Sequence, residues 1–505
     1  MYIGDHKKAE NTPIGLSLDP EVIGPRRTSG DGDDEEEDSS SSASSSDRKR
    51  SPRHRKHRKA SKDTPQPGPS LYGRGRSISG GGSPAAATSK LLRPEATTAL
   101  TIPMPRGEDQ QQQERKLSIH RQDSLLGTSW QRIQFLRSCS WWSMGLPTEN
   151  SIYQAYINTI AEAERYIYIE NQFFVTTTDA KDPSCAEYGY PVKNEIGKAI
   201  ADRVFRAITE NDTKFRVYVL LPLLPAFEGE NLWTADAFVC RITIHLQMRS
   251  IHSAKTSIIQ TLKRRLIAYH KQQPLRALQG KDVSTRDRLE KAVEEVIRSH
   301  IGFFCLRTVS DGFKDGKLRT EQIYIHAKTM IVDDTKAIIG SANINDRSMS
   351  GDRDSETAVL IEDDIGHSSP YTFAGDMRTQ LWREHFGLLQ GVLEDRQEKT
   401  FIDNVLRDPT SDSCWKMWLD TAERNIGILR EGFHGVWPDS EIRNWKQFHE
   451  VLESRSNPGG KEKEKVVDGL KGSRVFPYPL EFLCEEDMTS PAPTSISLMP
   501  KEIFT

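Results

Sequence analysis

The residues best suited to chemistry lie in Ile323-Tyr324-Ile325-His326-Ala327-Lys328-Thr329-Met330-Ile331-Val332-Asp333, with Gly340-Ser341-Ala342-Asn343 shortly after. On a strand, residues two apart share a face, so His326 and Lys328 are expected to project toward one ligand. A titratable imidazole beside a fixed ammonium suits a phosphodiester. The ammonium offsets charge on the non-bridging oxygens, while the imidazole attacks phosphorus or moves a proton near neutral pH. Gly340 is expected to permit a tight turn, and Ser341 and Asn343 to add neutral donors for the same oxygens. Asp333, past the strand end, is expected to tie the loop together rather than touch substrate.

The spacing is specific. With 13 histidines in the chain, chance matches to His-x-Lys-x-x-x-x-Asp number about 0.06 per chain, before a downstream Gly-Ser-x-Asn is required. The chain carries its own decoys: His6-Lys8, His54-Lys56 and His57-Lys59 share the first two residues, but Pro13, Ser61 and Thr64 stand where the aspartate would fall. Only His326 completes the pattern.

The elements that must hold these residues follow from periodicity. Ile152, Tyr156, Ile160 and Ala163 recur at helical spacing and lead into Tyr166-Ile167-Tyr168-Ile169-Glu170, which reads as a strand. Ile196, Ile200, Val204 and Ile208 repeat the helical period, followed by a strand at Val217 to Leu221, buried on both faces. Helices are expected near 256–270 and 286–299, and strands at 301–306, 323–332, 337–339 and 357–361. A helix carrying Met377, Leu381, Trp382 and Phe386 completes the set. The expected fold class is α/β, a sandwich lobe with a mostly parallel or mixed sheet.

Composition divides the chain in two. All nine Trp and all 18 Phe lie at or after Trp130, and before it the aromatics are Tyr2 and Tyr72. Residues 1–128 are expected to be a disordered, charged and Ser/Pro/Gly-rich linker, and 129–505 a folded catalytic lobe. Within the linker an acidic stretch around Asp31 to Asp38 precedes a serine-rich run from Ser39 to Ser46 and a basic block from Arg48 to Lys59. That block fits anionic lipid, nucleic acid or a nuclear address, or a solvated linker whose charge the acidic stretch offsets. Kinase-type patterns around Ser29, Ser118 and Ser124 are weak. A formal net charge of -3 argues against a globally basic nucleic-acid coat, and no apolar run is long enough to span a bilayer. The first eight residues lack the apolar core of a secretory signal. The six cysteines follow no framework or zinc spacing and read as reduced thiols in a cytosolic chain.

His326, Lys328 and Asp333, with Gly340-Ser341-Ala342-Asn343-Ile344-Asn345-Asp346-Arg347-Ser348-Met349 and Arg353-Asp354-Ser355-Glu356, resemble the second HKD motif of eukaryotic phosphatidylcholine-hydrolysing phospholipase D. Leu136-Arg137-Ser138, Ile167-Tyr168-Ile169-Glu170-Asn171-Gln172-Phe173-Phe174, Leu221-Pro222-Leu223-Leu224-Pro225 and the ending at 500–505 support it, so the resemblance runs from about 130 to 505. It implies a phospholipase D-like fold in which two HKD halves enclose one site. One histidine forms a phosphohistidine and the other protonates the leaving alcohol. Water then gives phosphatidic acid, or a primary alcohol gives a transphosphatidylation product. By this resemblance His326 is the acid and later the base. Lys328, Ser341 and Asn343 hold the phosphoryl oxygens, and Glu356 fixes the tautomer of His326. No metal or other cofactor is implied; phosphoinositide stimulation is, at a phospholipid membrane surface reached peripherally from the cytoplasm.

A first HKD motif is missing, and so are recognisable phox-homology and pleckstrin-homology regions. Between Glu228 and Ser253 a Gly-rich stretch expected of the family is replaced by Glu230-Asn231-Leu232-Trp233-Thr234-Ala235-Asp236, and the charged helix near 286–299 looks inserted. The chain therefore reads as a C-terminal half, as an isoform, a fragment or a truncated gene model. It needs an N-terminal half or a homodimer for activity. Two other readings stand beside the enzyme: a regulator that binds lipid or partners through Arg48 to Lys59, and, less favoured, a nucleic-acid phosphodiesterase. The basic block has no aromatic residue on which a base could stack. Lys263-Arg264-Arg265 reads equally as a lipid contact and as the polar face of a helix.

Overall fold

A computed structural model describes residues 131–182, 186–187, 190–225, 232, 237–310, 314–363, 372–389, 395–486 and 488. The expected linker 1–128 with its charged and serine blocks, most of the 230–236 replacement, and the ending at 500–505 lie outside the described residues.

The strands are β1 (Gln131–Cys139), β2 (Glu149–Asn150), β3 (Tyr166–Asn171), β4 (Ala186–Glu187), β5 (Tyr190–Pro191), β6 (Arg216–Leu220), β7 (Ile301–Ser310), β8 (Arg319–Gln322), β9 (Lys328–Val332), β10 (Lys336–Gly340), β11 (Glu356–Asp363) and β12 (Val475–Pro477). All but the β4–β5 pair form one ten-stranded sheet in the order β12-β7-β6-β3-β9-β10-β11-β1-β2, with β8 paired to β7. β7, β6 and β3 run parallel, which requires helical crossovers. Helix Ile196–Thr209 makes the first, and helices Phe238–Met248, Ile258–Gln272 and Arg286–Arg298 the second. From β3 onward β9, β10, β11 and β1 pair antiparallel, with a short turn joining β9 to β10. The expected α/β class with a mixed sheet is the observed one.

β3 is a wall between two cores. Tyr166 and Tyr168 pack on one face with Tyr218, Trp382 and Trp418, and Ile167 and Ile169 on the other with Ile200, Val204, Val217 and Val219. Each such side chain, fully buried, contributes roughly 1.5–3 kcal/mol. Beneath the aromatic face Glu170 accepts from the Tyr168 hydroxyl and lies 2.9 Å from His385 Nε2. Burial opposes ionisation of Glu170, but the bonds from His385 and Tyr168 outweigh it and hold the carboxyl below its usual range.

The predicted strand 323–332 is shorter, beginning only at Lys328. Sheet order gives the reason. β8 pairs with β7, whereas β9 pairs with β3, so residues 323–327 must cross the carboxyl ends of β6 and β3 to reach their place. Tyr324 marks the crossing: its hydroxyl bonds Pro225 O, beyond β6, and accepts from Gln172, beyond β3. Periodicity also left unread the 21-residue helix Asp412–Gly432, helices Arg396–Leu406, Trp445–Ser454 and Gly460–Leu470, and β12.

Candidate active site

The crossover places His326 outside the carboxyl ends of β3 and β6, where open α/β sheets bind ligands. His326 is exposed, its ring stacked on Tyr324 at 6.2 Å between centroids. Partial burial and the neighbouring ammonium hold its pKa below the usual imidazole value. Lys328, the first residue of β9 and opposite Asn171 of β3, is 7% exposed. Its Nζ donates to Gln172 Oε1 and to the His326 main-chain oxygen, both at 2.7 Å. Burial pulls its pKa down to about 8, with the Glu356 carboxylate opposing. The two side chains therefore meet at one site, but from a crossover and a strand end rather than from one strand face.

Asp333 turns away from them. In the left-handed region (φ 58°), it accepts from the backbone N–H groups of Glu164, Arg165 and Tyr166 at 2.7, 2.8 and 2.9 Å, clamping the start of β3 to the end of β9. Gly340 makes no turn: it closes β10 against Ala358, and a Cβ there would lie 2.5 Å from both Thr357 O and Ala358 Cβ. Its role is close approach of two strands.

That approach brings Ser341, just past β10, against the first residue of β11. Ser341 Oγ donates to Glu356, whose other oxygen accepts from Ser348 Oγ at 2.7 Å. The Glu356 carboxylate is thus held by two seryl hydroxyls, and no His326–Glu356 hydrogen bond forms in this structure; the tautomer-fixing bond implied by the resemblance is replaced by a link to the Ser348 turn. Asn343 is half-buried, and its Oδ1 is buried with no hydrogen-bond partner among the described residues. Asn345 caps the short helix Asp346–Met349 by accepting from Ser348 N. The buried Asp346 carboxylate accepts from Lys193 N, Asn194 N and Asn194 Nδ2 at 2.6, 2.7 and 2.8 Å, and burial raises its pKa. Gln172, Tyr324 and Ser348 were given no role from sequence. Their partners come from sheet register, which one sequence does not print.

Lys263-Arg264-Arg265 is not an open basic patch. Lys263 pairs with Glu290 and Glu294 at 3.1 and 2.6 Å. Arg265 pairs with Asp202 at 2.5 Å and covers the Phe205 ring, and Arg264 donates to Lys255 O. Of the five described cysteines four are buried, and only Cys484 is exposed. Among the described residues no cluster of His, Cys, Asp and Glu is placed to hold a metal ion, and no helix is long and apolar enough to cross a membrane.

A lysine at the head of an internal strand, a histidine over strand ends and a seryl-glutamate pair lie together at one end of the sheet of this α/β lobe. The Phospholipase D family model matches residues 135–428, and the chain belongs to the phospholipase D family. It is 35% identical over 373 residues to Phospholipase D of Phytophthora infestans, covering 71% of this chain and 18% of that protein. It is 35% identical over 389 residues to Phospholipase D zeta 1 of Arabidopsis thaliana (71% and 31%), and 34% over 394 residues to human Phospholipase D1 (75% and 32%). The chain spans less than a third of the length of these relatives.

Proposed function

We propose that this chain is the second-motif lobe of a phospholipase D that cleaves the distal phosphodiester of phosphatidylcholine to phosphatidic acid and choline. The observation that carries the reading is the pairing of a buried, hydrogen-bonded Lys328 ammonium with an exposed His326 imidazole. In the reaction a histidine of the complementary lobe attacks phosphorus. The P–O bond to choline breaks, and His326 gives its proton to the departing oxygen. Water then attacks the phosphohistidine, His326 takes the water proton, and the P–N bond breaks to release phosphatidic acid. Lys328 and Asn343 bind the phosphoryl oxygens, and Ser341 with Glu356 shapes the wall beside them. Asp333 acts at a distance, by holding β9 in place.

Two histidines on opposite sides of phosphorus are needed, and this chain supplies one such motif, so activity requires a complementary lobe or a second copy. An exposed apolar strip of the sheet supports that requirement. Ile133 and Phe135 of β1 are 56% and 84% exposed, beside the partly exposed Val359 and Ile361 of β11. Access to lipid is peripheral, from the cytoplasm, with Arg48 to Lys59 as an anionic-lipid tether and phosphoinositide as a stimulant. The test is ethanol-dependent formation of phosphatidylethanol from phosphatidylcholine vesicles, with and without an N-terminal lobe. Product with the added lobe, lost in His326→Ala, is expected. Absence of product under both conditions overturns the enzyme reading in favour of a lipid- or partner-binding regulator, and nucleotide release from DNA or RNA points to a nucleic-acid phosphodiesterase.

A further inference from the structure

An ammonium has three N–H bonds and no acceptor. Lys328 engages two of them inside the protein, on Gln172 Oε1 and on the His326 carbonyl, which leaves one for a substrate oxygen. The direction of that third bond depends on the first two. Gln172 is itself fixed: its Nε2 donates to the Tyr324 hydroxyl at 2.9 Å, and that hydroxyl donates to Pro225 O at 2.6 Å. Turning the amide over would set its NH2 group against the ammonium and lose its bond to the Tyr324 hydroxyl. The run Pro225, Tyr324, Gln172, Lys328 thus links the ends of β6, the crossover, β3 and β9 in one line.

We propose that Gln172 is a positioning residue for Lys328: its carbonyl oxygen, locked by Tyr324 and Pro225, aims the remaining N–H at the non-bridging phosphoryl oxygens. This rests on the reading of Lys328 as a phosphoryl ligand. The choice of an amide has a physical reason. A carboxylate at 172 would orient the ammonium equally well but would neutralise it, whereas an amide oxygen orients it and leaves its charge for the substrate. The charged and titratable groups facing Lys328 are His326 on its own segment and Glu356 from β11, with Tyr324 reached through Gln172.

The test is competitive acetylation of Lys328 across the neutral to alkaline range, read by peptide mass spectrometry on the whole chain without substrate. Gln172→Glu is expected to raise the midpoint of Lys328 labelling by about one pH unit through its added charge. Gln172→Met is expected to lower it by about one through loss of the acceptor. Shifts of opposite sign are not what a merely loosened fold would give. Tyr324→Phe, which leaves Gln172 in place, is expected to move the midpoint in the same direction as Gln172→Met but less. Unchanged midpoints, or both Gln172 variants moving the same way, overturn the proposal, and an unmoved midpoint in folded Tyr324→Phe overturns the locking. Because the readout needs no turnover, expected shifts alongside absent phosphatidylethanol would defeat the proposed function and leave the positioning intact.

Discussion

Lys328 is held where its charge is least comfortable, and that has a consequence for pH. Its folded pKa of about 8 lies below the unfolded value of 10.5, so between these values the unfolded chain binds more protons. Stability contributed at this position therefore rises with pH across that window, and the cost is present in full below it. Lys328→Met is expected to stabilise the chain by about 1 kcal/mol near neutral pH, the figure discounted for the part of the group that solvent reaches. The gain should fade in alkaline buffer while phosphatidylethanol formation is lost throughout. Urea unfolding at both pH values checks the first statement, and a lysine variant less stable than wild type at neutral pH would contradict it. Asp333 works in the opposite sense. Removing the acceptor of three backbone N–H groups in Asp333→Ala should cost about 2–4 kcal/mol, with Asp333→Asn recovering part of the loss in the same assay.

At the level of elements, the site is made by strand ends meeting, and Gly340 sets how closely. Gly340→Ala places a methyl carbon against the backbone of β11. It should cost about 1–3 kcal/mol as the strands part. The parting also separates Ser341 from Glu356, so the melting temperature and the phosphatidylethanol yield should fall together; a stable variant with full yield would show that the contact is dispensable. This scale also explains what was legible beforehand. The spacing of His326, Lys328 and Asp333 is covalent and can be read directly, and the two-faced burial of Tyr166 to Glu170 follows from alternating apolar types. The Gln172–Lys328 bond joins residues 156 apart through strand pairing, and the break at 323–327 follows from sheet order. Neither leaves a local trace, and Ile323 and Ile325 mimic strand alternation because they pack on the aromatic core. The helices after 396 went unread for a related reason: Trp415 and Trp418 face one core and Ile426 and Leu429 the other, so no single apolar stripe runs the length of Asp412–Gly432.

For the molecule as a whole, the described lobe carries a folded sheet with one apolar flank open along β1 and β11. Mixed with an N-terminal lobe, it should form a complex with one copy of each, seen by sedimentation velocity. Phe135→Asp should weaken that complex by at least about tenfold, as expected for a large aromatic at an interface centre. An unaffected complex would place the contact elsewhere and leave the β1 strip without this role. Activity in the mixture should follow complex formation, since neither lobe holds both imidazoles.

The pairing of β1 with β11 sets a clock on synthesis. Gln131 of β1 bonds Asp363, 232 residues later, so on the ribosome the earliest strand of the sheet waits for almost the whole of it to emerge. Crossovers such as β3 to β6 close earlier because fewer residues separate their ends, and the longest loops close late. Until residue 363 is out, the edge of β1 that will face β11 stands unpaired, with Ile133 and Phe135 along it, a template for pairing with the wrong chain. Expression yield should therefore be more sensitive to chaperone supply than the stability of the finished lobe alone would suggest.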